Sequence, residues 1–406
     1  MKCKHRKIKA KSKASVPVKR LNVKLIEREN KIILPALTEL ENRVNETVIG
    51  QENAVRSVCT KIYEGLVFSN LKNNILIVGK SGTGKTEIIR QIAEHLNVPC
   101  TIEDSTMYTE EGFVGASVTQ MISNLIREAN GNLSLASKGI IFVDEIDKKA
   151  QNESNKYSDV NKGGVLKSLL KLIEGTVVNI PNPYFNYEMD MEDMMIEFDT
   201  SNVIFIFGGA FEGLDEVKEK RLKSKTKIGF TSAEANHIVI TDYMNTSFTK
   251  EDLIEYGLPA EFVGRISSIY ETRELQKSDF IKILDYSKKS QFRKYEKILS
   301  NLGIEVIFSD NMFELIADNA KKCSTGAREL NSYVSHIFER IIYDIFSGKA
   351  KDYTRCIIDD NIVFDNTKYY WEWFRKKDGE TILVSPFSFF ITKRLKIVIK
   401  YYIISM

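Results

Sequence analysis

The sequence predicts an α/β fold: a mainly parallel sheet between helices, followed by a smaller and mainly helical domain. Three observations carry this. Short apolar strands alternate with segments of helical period through the first two thirds of the chain, the pattern of a parallel sheet covered on both faces. A glycine-rich loop sits between one strand and the next helix. From about residue 278 onward helical periods dominate.

The elements follow in order. Residues 1–40 read as a basic, solvated arm, because residues 1–24 hold ten Lys and Arg, no Asp or Glu, and Pro17. The whole chain has a net charge of +3, so the body that follows the arm is mildly acidic. Residues 41–275 read as the large α/β domain. Ile75–Val78 is its first buried strand, Thr86–Leu96 a helix, Val98–Ile102 a second strand and Val118–Ala129 a helix. Ile140–Val143 and Val203–Phe207 are further buried strands. Residues 276–365 read as the helical domain, with helices over Phe280–Tyr286, residues 288–300, Asp310–Lys321 and Ala327–Phe346. The hinge is expected near Thr272–Lys277. Residues 366–406 form an extension, whose Tyr369–Phe374 aromatics suit a strand pair or a packed tail.

Composition excludes several classes. The five cysteines are scattered without a C-x-x-C pair, which argues against a zinc ribbon or a disulfide framework and fits a reducing cytoplasm. The four histidines show no metal-binding spacing, so no zinc is expected. No apolar run reaches the ~18–20 residues of a membrane span, and the start lacks a signal peptide's apolar core. The basic arm has no interleaved aromatic residue, so nucleic acid is not expected as a partner.

Two motifs carry chemistry. Gly79-Lys80-Ser81-Gly82-Thr83-Gly84-Lys85-Thr86 matches G-x-x-x-x-G-K-[ST] between a strand and a helix. Glycines there let backbone N–H groups face phosphate oxygens at a helix N-terminus. Lys85 would reach the β- and γ-phosphates, and the Thr86 hydroxyl would ligate Mg²⁺. The apolar strand Ile140–Val143 ends in Asp144-Glu145. That placement offers Asp144 to the Mg²⁺ shell and Glu145 to the attacking water. ATP and Mg²⁺ are thus the expected cofactors and ATP hydrolysis the expected reaction. Phosphoryl transfer also needs a charge-stabilising guanidinium. Arg265 and Arg328 are available, and spacing does not choose between them.

Residues ~45–365 resemble the ClpX family of AAA+ unfoldases. Val48-Ile49-Gly50-Gln51 is similar to the family's adenine-contacting segment, and Gly112-Phe113-Val114-Gly115 to its aromatic pore loop, with Phe113 in place of Tyr. Leu172–Thr176 and Gly208–Phe211 are further family-like stretches. Ile228-Gly229-Phe230 matches the tripeptide that docks on the ClpP peptidase. The resemblance implies that Arg265 is an arginine finger working on the neighbouring subunit and Arg328 a sensor-2 arginine. It also implies a homo-hexamer that threads protein substrates into a ClpP-like peptidase. A stand-alone remodelling ATPase is the alternative, followed by a nucleic-acid-stimulated one. The related HslU unfoldases insert a large domain where this chain has only residues 116–139.

The chain departs from the family pattern in three places. It offers one cysteine, Cys3, where the family has a four-cysteine zinc domain. Pro181–Asp199 carries Glu188, Asp190, Glu192, Asp193, Glu197 and Asp199 and no basic residue, where the family loop is basic. Gly208 and Gly209 stand where a polar sensor-1 residue is expected.

Overall fold

A computed structural model describes residues 32–68, 73–108, 116–150, 160–184, 194–226, 247–323, 325–350, 353–377 and 380–384. Helices α1 (Leu37–Asn45) and α2 (Glu52–Val67) precede strand β1 (Ile75–Val78), which is buried along its whole length. Helix α3 (Lys85–Leu96) ends at Asn97, whose left-handed φ of 52° lets the Val98 N–H close on the Ala93 carbonyl at 3.0 Å. Strand β2 therefore begins at Cys100 and runs to Asp104, two residues later than the sequence pattern suggests. Val98 still completes the helix cap, and Pro99 has no N–H to give a ladder.

Helix α4 (Gln120–Glu128), strand β3 (Ile140–Asp144) and helix Val160–Glu174 follow. The hairpin β4 (Val177–Pro181) and β5 (Met195–Asp199) is antiparallel and stands apart from the main sheet, tied to α4 where the Ser123 hydroxyl donates to the Pro181 carbonyl at 3.2 Å. Glu197 and Asp199 of the acidic segment lie on β5. Glu188, Asp190, Glu192 and Asp193 lie outside the described residues. Strands β6 (Ile204–Gly209) and β7 (Ser268–Glu271) complete a five-stranded sheet of order β2-β3-β6-β1-β7, parallel at every pairing.

Strand alternation divides the large-domain core into two layers. Ile75, Ile77, Ile140, Phe142, Ile204 and Ile206 face α2 and α3. Leu76, Val78, Ile141, Val143, Phe205 and Phe207 face α4 and helix Val160–Glu174. Burial on both faces explains why these strands read as unbroken apolar runs. The register sets Val78 beside Gly209 and Val143 beside Phe207, so β1, β3 and β6 end together. That carboxyl edge is where open parallel sheets bind ligands.

The second domain packs helices Lys277–Asp285, Gln291–Asn301, Asp310–Lys322 and Arg328–Phe346 around one core. It also contains a sheet, which the helical periodicity does not announce. Strand β8 (Glu305–Ile307) runs parallel to β9 (Arg355–Ile358), which pairs antiparallel with β10 (Tyr369–Lys377) and through it β11 (Glu380–Val384). Residues 369–384 thus extend the domain's sheet past residue 365. A three-residue strand pairing 50 residues away leaves no local period to read.

Phe292 is the hub of this core. It is fully buried and meets Phe308, Phe313 and Phe338 edge to face at centroid distances of 4.8, 4.9 and 5.3 Å. Phe292→Ala should lower the unfolding free energy of this domain by about 3–5 kcal/mol, read by differential scanning calorimetry. A loss under about 1 kcal/mol would mean that the three partner rings close the cavity among themselves.

Candidate nucleotide site

The glycine-rich loop leaves β1 at the carboxyl edge and turns into α3. Its backbone passes so close to the second domain that Gly82, at φ +75°, would drive a Cβ into the Thr325 carbonyl. The Ala327 N–H donates to the Gly82 carbonyl at 3.3 Å. From the large-domain side, the Thr83 hydroxyl donates to the Lys80 carbonyl and lies 2.8 Å from the Thr272 hydroxyl. The loop is held from both sides before any ligand arrives.

Lys85 is the first residue of α3 and is 7% exposed. Its ammonium donates to the carbonyls of Gly79 and Lys80. Burial lowers its pKa, opposed by the nearby carboxylates of Asp144 and Asp147. The next residue, Thr86, donates its hydroxyl to Asp144 Oδ2 at 2.9 Å. A hydroxyl and a carboxylate meeting at the loop, both oxygen donors, fit Mg²⁺, which takes few protein ligands and completes its shell with phosphate and water.

Glu145 follows Asp144 in a left-handed conformation, φ 58°, uncommon for a residue other than glycine. Its N–H donates to Asp144 Oδ1 at 2.9 Å, and its side chain is exposed at the cavity wall. Asp147, which motif reasoning passes over, is 6% exposed and also lines the cavity. Its Oδ2 accepts from the Phe211 N–H at 3.2 Å, while Oδ1 has no hydrogen-bond partner among the described residues. A Cβ on Gly209 would meet Oδ1 at 2.6 Å. The strand that lacks a polar sensor residue therefore leaves room for this carboxylate.

The cavity is 570 Å³ and is walled by both domains. Val48 and Ile49 border it from the large domain, and Ala327, Arg328 and Leu330 from the small one. Ser81 to Thr86 line it directly. Gly79 and Lys80 stand behind, and the Lys80 side chain turns away to pair with Glu274. Arg265 lies apart from the cavity of its own chain, 55% exposed, with its guanidinium 2.6 Å from Glu174. Gly112, Phe113, Val114 and Gly115 lie outside the described residues, as do Ile228, Gly229 and Phe230.

The hinge lies where the sequence places it, near Thr272–Lys277, and Gln51 of the Val48–Gln51 segment is bonded to it. Gln51 is buried, donates to the carbonyls of Thr83 (3.0 Å) and Arg273 (2.8 Å), and accepts from the Arg273 N–H at 3.0 Å. Arg273 in turn makes a two-bond pair with Asp279, at 2.6 and 3.0 Å. One amide side chain thus joins the phosphate loop to the hinge. The sequence reading places Gln51 in a segment resembling the family's adenine contact, but nothing local shows its bond to Arg273, 222 positions away.

A phosphate-binding loop after β1, an acidic pair at the end of β3 with β6 lying between the two strands, and a small domain closing the cleft define an AAA+ ATPase. The AAA domain model of the Cdc48 subfamily matches residues 70–269, and the model for the C-terminal D2-small domain of ClpB matches residues 275–358. The ATP-dependent Clp protease ATP-binding subunit ClpX of Bacteroides thetaiotaomicron is 35% identical over 332 residues, 79% of this chain and 80% of that protein. The same-named subunit of Borrelia duttonii is 35% identical over 329 residues, 78% of this chain and 76% of its own length. That of Bacteroides fragilis is 34% identical over 332 residues. The chain belongs to the ClpX family, and it is a nucleotide-binding ATPase.

The hinge pair has a pH signature. Burial raises the Asp279 pKa, but hydrogen bonds from Arg273 and from the Gln276 backbone more than offset this, leaving it lowered. Its stabilisation is complete above the unfolded carboxyl's pKa of about 3.9 and is lost as pH falls through the lower folded value. Asp279→Asn should remove that acid-limb loss and cost on the order of 1 kcal/mol at pH 7, since Arg273 is half exposed. Thermal melts from pH 3 to 7 check this, and identical slopes for both proteins would refute it.

Proposed function

We propose that this chain is an ATP-driven protein unfoldase and translocase that works as a homo-hexamer and delivers polypeptide to a ClpP-type peptidase. The observation that carries the reading is the cleft itself. The phosphate loop touches the small-domain turn at Gly82 and Ala327, and Arg328 stands in the same wall, so nucleotide in the cleft bears directly on the angle between domains. The relatives named as ATP-binding subunits of the Clp protease, matched over most of the chain, support the coupling to proteolysis.

In this reading the backbone N–H groups of Ser81–Lys85 and the Lys85 ammonium bind the phosphates of ATP. Thr86 and Asp144 would hold Mg²⁺, which when bound neutralises charge between the β- and γ-phosphates. Glu145 orients the attacking water, and Arg328 reads the nucleotide from the small domain. Arg265, exposed and remote from its own cleft, suits a role at the neighbouring subunit's phosphate. Val48 and Ile49 would contact the base. Gly112–Gly115, led by Phe113, would push unfolded chain along an axial channel by apolar contact. Ile228-Gly229-Phe230 would dock on the peptidase, six weak contacts adding by avidity.

Substrate choice should differ from that of a family member with a basic loop. Six carboxylates in Pro181–Asp199 would repel an acidic C-terminal tag and accept a neutral or basic one.

Glu145→Gln should keep ATP binding and slow hydrolysis by about two orders of magnitude or more. Arg265→Ala should bind ATP without turnover, and mixing it with Glu145→Gln subunits should restore part of the activity at mixed interfaces. Full activity of Arg265→Ala alone at dilute concentration would remove the trans role. For the peptidase, Phe230→Ala should abolish degradation while sparing ATP hydrolysis. Degradation of one reporter carrying an acidic or a basic tag tests the acidic segment, and equal rates would place that segment away from substrate. A parent protein that unfolds the reporter but never engages the peptidase would favour the stand-alone remodelling ATPase.

A further inference from the structure

The turn that carries Glu145 is fastened to a second segment, Ser105–Tyr108, at two points. The Ser105 hydroxyl donates to the Glu145 carbonyl at 2.8 Å. The Lys149 ammonium, buried at the end of the 3₁₀ turn Ile146–Lys149, donates to the Tyr108 carbonyl at 3.0 Å. Tyr108 is itself fixed at its other end. It is 3% exposed, and its hydroxyl bonds Glu103, whose other oxygen accepts from Asn124 at 2.9 Å and from the Thr101 hydroxyl.

This cluster includes the described residues on either side of 109–115. Tyr108 pairs with Ala116 in a parallel bridge, and the Ala116 N–H donates to the Met107 carbonyl at 3.3 Å. The residues that flank 109–115 and the turn that carries Glu145 therefore share one hydrogen-bonded block. Glu145 sits in this block with a backbone conformation that its own chemistry disfavours. The Ser105 hydroxyl, the Lys148 N–H and Asp144 hold it there, the Lys148 N–H reaching the Glu145 carbonyl at 3.0 Å. A buried ammonium needs a directed partner to offset its desolvation. Lys149 directs one such bond to the Tyr108 carbonyl.

We propose that Ser105 and Lys149 are positioning residues for Glu145, tying the setting of its carboxylate to the chain at the base of residues 109–115. Polypeptide engaged by those residues then alters hydrolysis through this block. The inference rests on the unfoldase reading for its substrate, and on the hydrogen bonds alone for its effect on turnover.

The test uses the full chain and the variants Ser105→Ala, Lys149→Met and Lys149→Arg. Readouts are ATP kcat and KM, affinity for a fluorescent ATP analogue, melting temperature, and stimulation of hydrolysis by unfolded casein. Ser105→Ala and Lys149→Met should each lower kcat about tenfold with analogue affinity within about twofold of the parent, and casein should no longer stimulate them. Lys149→Arg, which keeps a donor, should recover most of both. The double variant Ser105→Ala/Lys149→Met should lose less than the product of the single losses, since both act on one turn. Parent-like kcat and stimulation in folded Ser105→Ala and Lys149→Met would overturn the proposal, as would a double variant equal to the product. If Lys149→Met does not fold, Ser105→Ala, which sheds one hydroxyl, decides alone by the same criteria. If casein fails to stimulate the parent, the unfoldase reading falls, and the split between kcat and KM still judges the positioning role.

Discussion

The contact between the phosphate loop and the turn Thr325–Arg328 is the constraint on which the rest of the structure depends. Gly82 meets it with no side chain to spare, and its carbonyl accepts the Ala327 N–H. Through Gln51 the same loop is bonded to Arg273 in the hinge, and Arg273 is paired with the first turn of the small domain at Asp279. The loop cannot shift without altering two interdomain contacts. A ligand that orders the loop therefore acts on both domains at once, without any contact of its own to the hinge.

Electrostatics in the cleft are arranged around a buried cation. Lys85 is kept from water by its position at the start of α3, and loop carbonyls take its protons' hydrogen bonds in place of solvent. Asp144 and Asp147 favour its charged form while Arg328 opposes it. Phosphate oxygens would add partners to an ammonium already desolvated, which strengthens the attraction relative to a lysine in water. The Thr86–Asp144 bond holds together the two oxygens proposed to bind Mg²⁺.

Two departures from the family pattern fall on either side of this machinery. The glycines at the end of β6 present no side chain to the cleft, and Asp147 occupies the space beside Gly209 with one oxygen open. Of the acidic segment, Glu197 and Asp199 lie on β5, in a hairpin outside the main sheet where sequence can change without disturbing the parallel core. One change borders the cleft, and the other is the one proposed to bear on which polypeptides reach it.

The sequence by itself determined the α/β class, the strands that form the sheet and the residues of the phosphate loop and acidic pair. These are local features: four or five apolar residues make a buried strand, and G-x-x-x-x-G-K-T needs only its flanking strand and helix. The β2 start misread by two residues is local too, and it turned on a helix cap that extends to Val98. What the tertiary structure alone decided depends on residues far apart in the chain. Gln51 meets Arg273 across 222 positions, and Lys149 meets Tyr108 across 41. The three-residue strand β8, which joins the small-domain sheet through β9, is too short to show a period, and Asp147 is indistinguishable from a solvated carboxylate until Gly209 and Phe211 close over it. Periodicity reports which face of an element is buried, but partners are chosen by how the elements pack, and that information is held by the whole chain rather than by any segment of it.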